Sequence, residues 1–196
     1  MTSLNTNLEM TPRWANWLFR RPGIALAMFW GFAEGTLFFV LPDVPLSFVA
    51  MFRPRRAWLH LAAIVAGALL GGALMFSWSE RSESARQAVE QVPAVTPAMF
   101  AGAEQDLQAY GIWGTSLGPV RGIPYKIYAV EAPRHATLPM FLLVTIPARL
   151  WRLVIVWLGF AAAGSILRKT GRVSFAPALH IVFWVVTYAI YWIEVK

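Results

Sequence analysis

The chain has 196 residues, 58% of them hydrophobic and only 14% charged, with a net charge of +7 and no cysteine. Soluble domains run at about 45–50% apolar and about 25% charged, and a chain of this size keeps too much surface to hide such an excess inside itself; lipid removes the difficulty. Disulfide and thiol chemistry are excluded, and basic residues that gather at the edges of apolar runs argue against a nucleic-acid partner.

Residues 1–11 read as a polar tail, with no signal peptide of the usual form. Pro12 to Arg21 mixes Trp, Phe and Arg, the make-up of a short amphipathic helix lying in the membrane interface; the alternative is a frayed tail. The first apolar run, 23–52, is broken by Pro42-Asp43-Val44-Pro45. Arg20 and Arg21 precede it and Arg53, Arg55 and Arg56 follow it, so both ends belong on the cytoplasmic side. A re-entrant helical hairpin with Asp43 at its tip satisfies that; the alternative is one span with an interfacial second leg.

Residues 57–78 have spanning length. Gly67 and Gly71 are four apart, a spacing that lets helix backbones approach in lipid, and this face is expected against a partner helix. Residues 79–110 form the long polar stretch, expected outside. Thr96-Pro97 marks a helix start, Thr96 as N-cap, and Gly111 its stop, about 14 residues on. The run 111–132 is broken at Gly118 to Pro124 and reads as a second hairpin, entering from the outside. Spans at 138–163 and 173–193 follow, separated by an inside loop with Arg168, Lys169 and Arg172. Nine Lys and Arg then fall inside and four outside. The expected fold is an all-α integral membrane protein with about three spanning helices and two re-entrant helical hairpins arranged as inverted repeats, the membrane domain covering 23–196. Broken segments meeting at mid-membrane are a transporter design.

Charge within a bilayer is costly, about 2.5–3.5 kcal/mol per residue on insertion scales, and marks candidate functional residues. Glu34 and Asp43 are the candidates for proton coupling. Arg121, Lys126, Arg149 and Arg152 are the candidates for binding a phosphate: Arg offers a fork of donors and Lys a point charge. Glu131 is a further candidate, nearer an interface. The alternative reading of all seven is internal charge balance. Gly114-Thr115-Ser116-Leu117-Gly118 matches the nucleophile-elbow pattern, and His180 could serve as base, but no strand precedes it; Ser116 reads as a helix-packing residue and the chain as no enzyme. His60 reads as an interface anchor. No spacing suggests a metal site, and no cofactor is expected.

Several of these segments carry a resemblance over roughly residues 31–164. Glu34 with Leu41-Pro42-Asp43, Gly67-Ala68-Leu69-Leu70-Gly71, Gly122-Ile123-Pro124-Tyr125-Lys126-Ile127-Tyr128 and Arg149-Leu150-Trp151-Arg152 follow in the order of the DedA family, the VTT-domain or SNARE-associated Golgi group, and resemble most its YqaA-like branch. Thr115 stands where the commoner pattern has an Arg. The resemblance implies a multi-pass protein of the bacterial cytoplasmic (inner) membrane. It also implies transport or flipping of a membrane lipid, undecaprenyl phosphate included, coupled to protons, with room for a homo-oligomer. A proton-coupled transporter of a small ion or solute, and a non-transporting assembly or homeostasis factor, are the alternatives.

Overall fold

The computed structural model describes residues 13–39 and 41–194. The expected polar tail, 1–11, lies outside these residues, as does Pro12. Among the described residues the chain is all-helical, with no strand. A 3-10 segment, Arg13–Phe19, stands where the interfacial helix is expected. The α-helices are α1 (Arg21–Gly35), α2 (Asp43–Phe52), α3 (Pro54–Arg81), α4 (Ser84–Glu90), α5 (Pro97–Tyr110), α6 (Gly118–Arg121), α7 (Tyr125–Glu131), α8 (Leu138–Lys169) and α9 (Ala176–Glu194).

Among the described residues, three segments are long and apolar enough to cross a membrane: Pro54–Arg81, Leu138–Lys169 and Val173–Ile193. They differ in surroundings. More than half of the most apolar stretch of α3 is buried in protein (56%), against 11% for α8 and 17% for the last segment. The two latter therefore present apolar side chains outward, and in water that exposure has no compensating interaction.

The break in the first apolar run comes earlier than its prolines suggest. α1 stops at Gly35 and α2 starts at Asp43, so Pro45 falls inside the first turn of α2. Proline is harmless there because the first-turn N–H groups have no intrahelical acceptor to lose. α5 runs over the expected residues, and Gly111 ends it with a positive φ of 58°. Thr96 has the extended backbone of an N-cap, but its hydroxyl makes no capping bond. α5 is also less of a surface helix than its polarity suggests, since Phe100, Ala103, Asp106 and Leu107 are all buried. Pro147 is accommodated within α8.

Contacts divide the chain into two units, whose limits fall inside α1, α3 and α8. One unit comprises the described residues to Ala27, Pro42–Ala63 and those from Leu153 on. Here Ser47 on α2 and His180 and Trp184 on α9 interlock: His180 Nε2 lies 2.9 Å from Ser47 Oγ and 3.1 Å from the Val44 carbonyl, and Trp184 Nε1 donates to Ser47 Oγ at 2.9 Å. His60 is no interface anchor: it is 2% exposed, with Nε2 2.8 Å from the Leu18 carbonyl. The backbone of the residues before α1 offers it a buried partner.

The other unit comprises Met28–Leu41 and Ile64–Arg152. Its helices α1 and α3 meet along a seam of glycines. A Cβ on Gly31 would strike the Ile64 carbonyl, one on Gly67 the Met28 carbonyl, and one on Gly71 the Phe32 carbonyl. The partner expected for Gly67 and Gly71 is thus α1, whose own Gly31 and Gly35 complete the close approach.

Candidate functional site

The glycine seam sets the position of Glu34, which lies between Gly31 and Gly35 on α1. With the backbones of α1 and α3 this close, Glu34 is 3% exposed. Its carboxylate meets the guanidinium of Arg149 on α8, itself 5% exposed. Arg149 Nη1 donates to Oε1 at 3.3 Å and Nη2 donates to Oε2, a two-pronged pairing of fork and carboxylate.

Two more basic residues act on the same carboxylate through space, Lys126 on α7 and Arg152 one helical turn beyond Arg149. Lys126 is 2% exposed and donates through Nζ to the Phe38 carbonyl at 2.6 Å. The chain past the end of α1 thereby receives the ammonium on a backbone carbonyl oxygen. Gly122, at φ 70°, turns the chain ahead of α7, and Pro124 at its N-cap carries no N–H to satisfy.

Tyr125 supports Arg149 from below. The guanidinium carbon lies 4.8 Å from the centre of the Tyr125 ring, a cation–π arrangement. The same ring stacks on Phe141, with ring centres 5.7 Å apart. The Tyr125 hydroxyl lies 3.1 Å from Thr145 Oγ1, and Thr145 in turn donates to the Phe141 carbonyl at 2.8 Å. Room for the hydroxyl comes from Gly72: a Cβ there would collide with it.

Of the seven candidates, the structure gathers Glu34, Lys126, Arg149 and Arg152. Asp43 is the first residue of α2, 1% exposed, and belongs to the other unit. Arg121 stands at the end of α6 with 43% of its side chain exposed, and its Nη1 lies 2.6 Å from Asp106 Oδ1. Asp106, within the polar stretch 79–110, is 1% exposed and also accepts from the Tyr128 hydroxyl at 2.6 Å. Glu131 is 1% exposed rather than set at a surface, and is clamped by Arg134 at 2.5 Å and Arg86 at 3.1 Å. Such pairing suits a structural lock between α4, α7 and the turn after it. The partner of His180 is Ser47 and not the Ser116 motif.

Chemically, the gathered set offers one carboxylate, planar forks of donors and an ammonium. No metal-binding group of three or more His, Cys, Asp or Glu occurs among the described residues. Comparison with protein-family models, with curated proteins and with solved structures finds no match.

Proposed function

We propose that the chain is a membrane transporter or flippase for a lipid or lipid phosphate, such as undecaprenyl phosphate or a phospholipid, and that it is coupled to protons. The observation that carries this reading is the Glu34–Arg149 fork, both partners being nearly inaccessible to water. Removing two charges from water costs several kcal/mol per ion, so an ion pair alone is poor value as a stabiliser against apolar packing. It has value as a switch. A phosphate presents to a guanidinium the same pair of oxygens as a carboxylate. When Glu34 takes a proton its hold on the fork weakens, and Arg149, with Lys126, turns to the phosphate. Loss of the proton restores the carboxylate, which displaces the phosphate.

The DedA-like architecture belongs to the same proposal, with the runs 23–52 and 111–132 as re-entrant hairpins of inverted repeats. Helix lengths support it. α1 has 15 residues and α2 has 10, which span about 22 Å and about 15 Å against a hydrocarbon core of about 30 Å. α6 and α7, with 4 and 7 residues, are shorter still. Asp43 is a second proton-carrying candidate, and the bacterial cytoplasmic membrane the expected location.

The test is translocation of a labelled lipid phosphate in reconstituted vesicles. Lys126→Gln and Arg149→Lys should each slow it at least tenfold while the purified protein stays monodisperse. Unchanged rates in both would overturn the phosphate site. Uptake of a small cation or solute under a pH gradient, with no lipid movement, would favour the solute-transporter reading.

A further inference from the structure

The +7 net charge is distributed unevenly. In the unit holding Glu34, seven described Lys and Arg face seven Asp and Glu. In the other unit, nine described basic residues stand against two acids, the buried Asp43 and Glu194 at the end of α9. Arg13 opens the 3-10 segment; the other eight are Arg20 and Arg21 before and at the start of α1, Arg53, Arg55 and Arg56 around the α2–α3 junction, and Arg168, Lys169 and Arg172 after and at the end of α8.

Three segments distant in sequence bring these residues to one end of their unit. Arg56 Nη1 donates to the Phe19 carbonyl at 3.1 Å, and the Arg53 guanidinium lies 4.7 Å from the Phe19 ring centre. Arg168 Nη1 donates to the Met51 carbonyl at 2.9 Å, and Trp157 Nε1 to the Pro54 carbonyl at 3.0 Å. Gly164 allows that approach, since a Cβ there would strike the Met51 carbonyl. Arg20, Arg21, Arg55, Arg56, Lys169 and Arg172 remain exposed around this anchored centre. Exposed aromatics stand among them: Trp17 at 46%, Trp58 at 53% and Phe175 at 63%.

The geometry points to a docking surface for the anionic headgroups of the surrounding membrane, a basic collar with aromatic anchors at the ends of the membrane helices. Cations next to spanning segments attract anionic lipid, and aromatic rings settle at the headgroup level. Among the described residues no acid forms an ion pair with these exposed cations, and headgroup phosphates supply the complementary charge. The collar is independent of the transport reading, because a lipid held here need not be carried across.

Selectivity for lipid can be read with spin-labelled lipids on the full chain reconstituted in phosphatidylcholine vesicles. Each cation near the surface contributes a factor of about five. Spin-labelled phosphatidylglycerol should therefore be preferred over phosphatidylcholine at least about fivefold at low salt, with the preference falling in molar salt. Arg20→Gln/Arg55→Gln/Arg172→Gln should clearly lower the ratio at low salt, and the corresponding triple Lys variant should restore it. Equal association of the two lipids with the wild-type chain, or a preference that salt and the Gln variant leave intact, would overturn the collar. So would binding of an oligonucleotide or an acidic protein without lipid selectivity. The salt titration uses the unaltered protein, so the test survives if a variant does not fold.

Discussion

Glu34 and Arg149 are 115 residues apart in the chain and meet fork to carboxylate in the interior of one unit. Breaking a buried pair leaves one uncompensated charge, at a cost of about 3–5 kcal/mol. Glu34→Ala should destabilise by that order in thermal or denaturant unfolding of the detergent-solubilised protein. Glu34→Ala/Arg149→Ala should cost clearly less than the sum of the two single changes, because the stranded charge is gone. Additive losses would mean that the two side chains do not interact.

The glycine seam gives a contrast within one residue type. Alanine is ordinarily better than glycine in a helix by about 1 kcal/mol. At Gly159, where nothing lies within 4 Å of the added Cβ, Gly159→Ala should leave stability unchanged or raise it. At Gly67, where the Cβ meets the Met28 carbonyl and the Phe32 amide nitrogen, overpacking of about 1–3 kcal/mol should prevail. Unfolding midpoints of the two variants decide the matter, and equal midpoints would dissolve the seam.

Gly72 and Tyr125 form a compensating pair. Gly72→Ala should push the Tyr125 ring from beneath Arg149 and lower lipid translocation. Adding Tyr125→Phe removes the oxygen that the new methyl meets first, and should recover part of the loss. A double variant slower than Gly72→Ala alone would show that the hydroxyl itself is needed.

Glu104 gives a pH dependence outside the spanning segments. The hydrogen bond from His135, at 3.1 Å, holds its carboxyl below the ordinary value of 4.5, with help from Gln108. A lowered carboxylate value means stability that is present above pH 4.5 and is lost as pH falls through the lowered value. Hydrogen exchange in α5 and in the turn around His135 should therefore speed up on acidification below about pH 4.5, relative to its intrinsic rate. Glu104→Gln should abolish that acid-limb change.

Much of this architecture was legible in the sequence because it depends on local rules. The long apolar helices α3, α8 and α9 follow from apolar length, and the extent of α5 from Thr96-Pro97 at one end and Gly111 at the other. The first break was misplaced because Pro42 and Pro45 were both read as breakers, whereas a proline in a first turn is tolerated. Asp106 was missed because α5 lies in a polar stretch. Yet Phe100, Ala103 and Leu107 recur at helical spacing, and Asp106 is on their face; that pattern was the available signal. Gly31 and Gly35 were likewise present as the second half of the seam. The separation of Arg121 from Arg149 and Lys126 had no local signal, since it depends on the long-range pairing with Asp106.

The most direct measurement is the response of lipid-phosphate translocation to an imposed pH gradient in vesicles containing the wild-type chain or Glu34→Gln. The wild-type rate should rise several-fold when the gradient is applied, and the Glu34→Gln rate should not respond to it. A Glu34→Gln protein that translocates at the wild-type rate and still follows the gradient would contradict a proton switch at the Glu34–Arg149 fork.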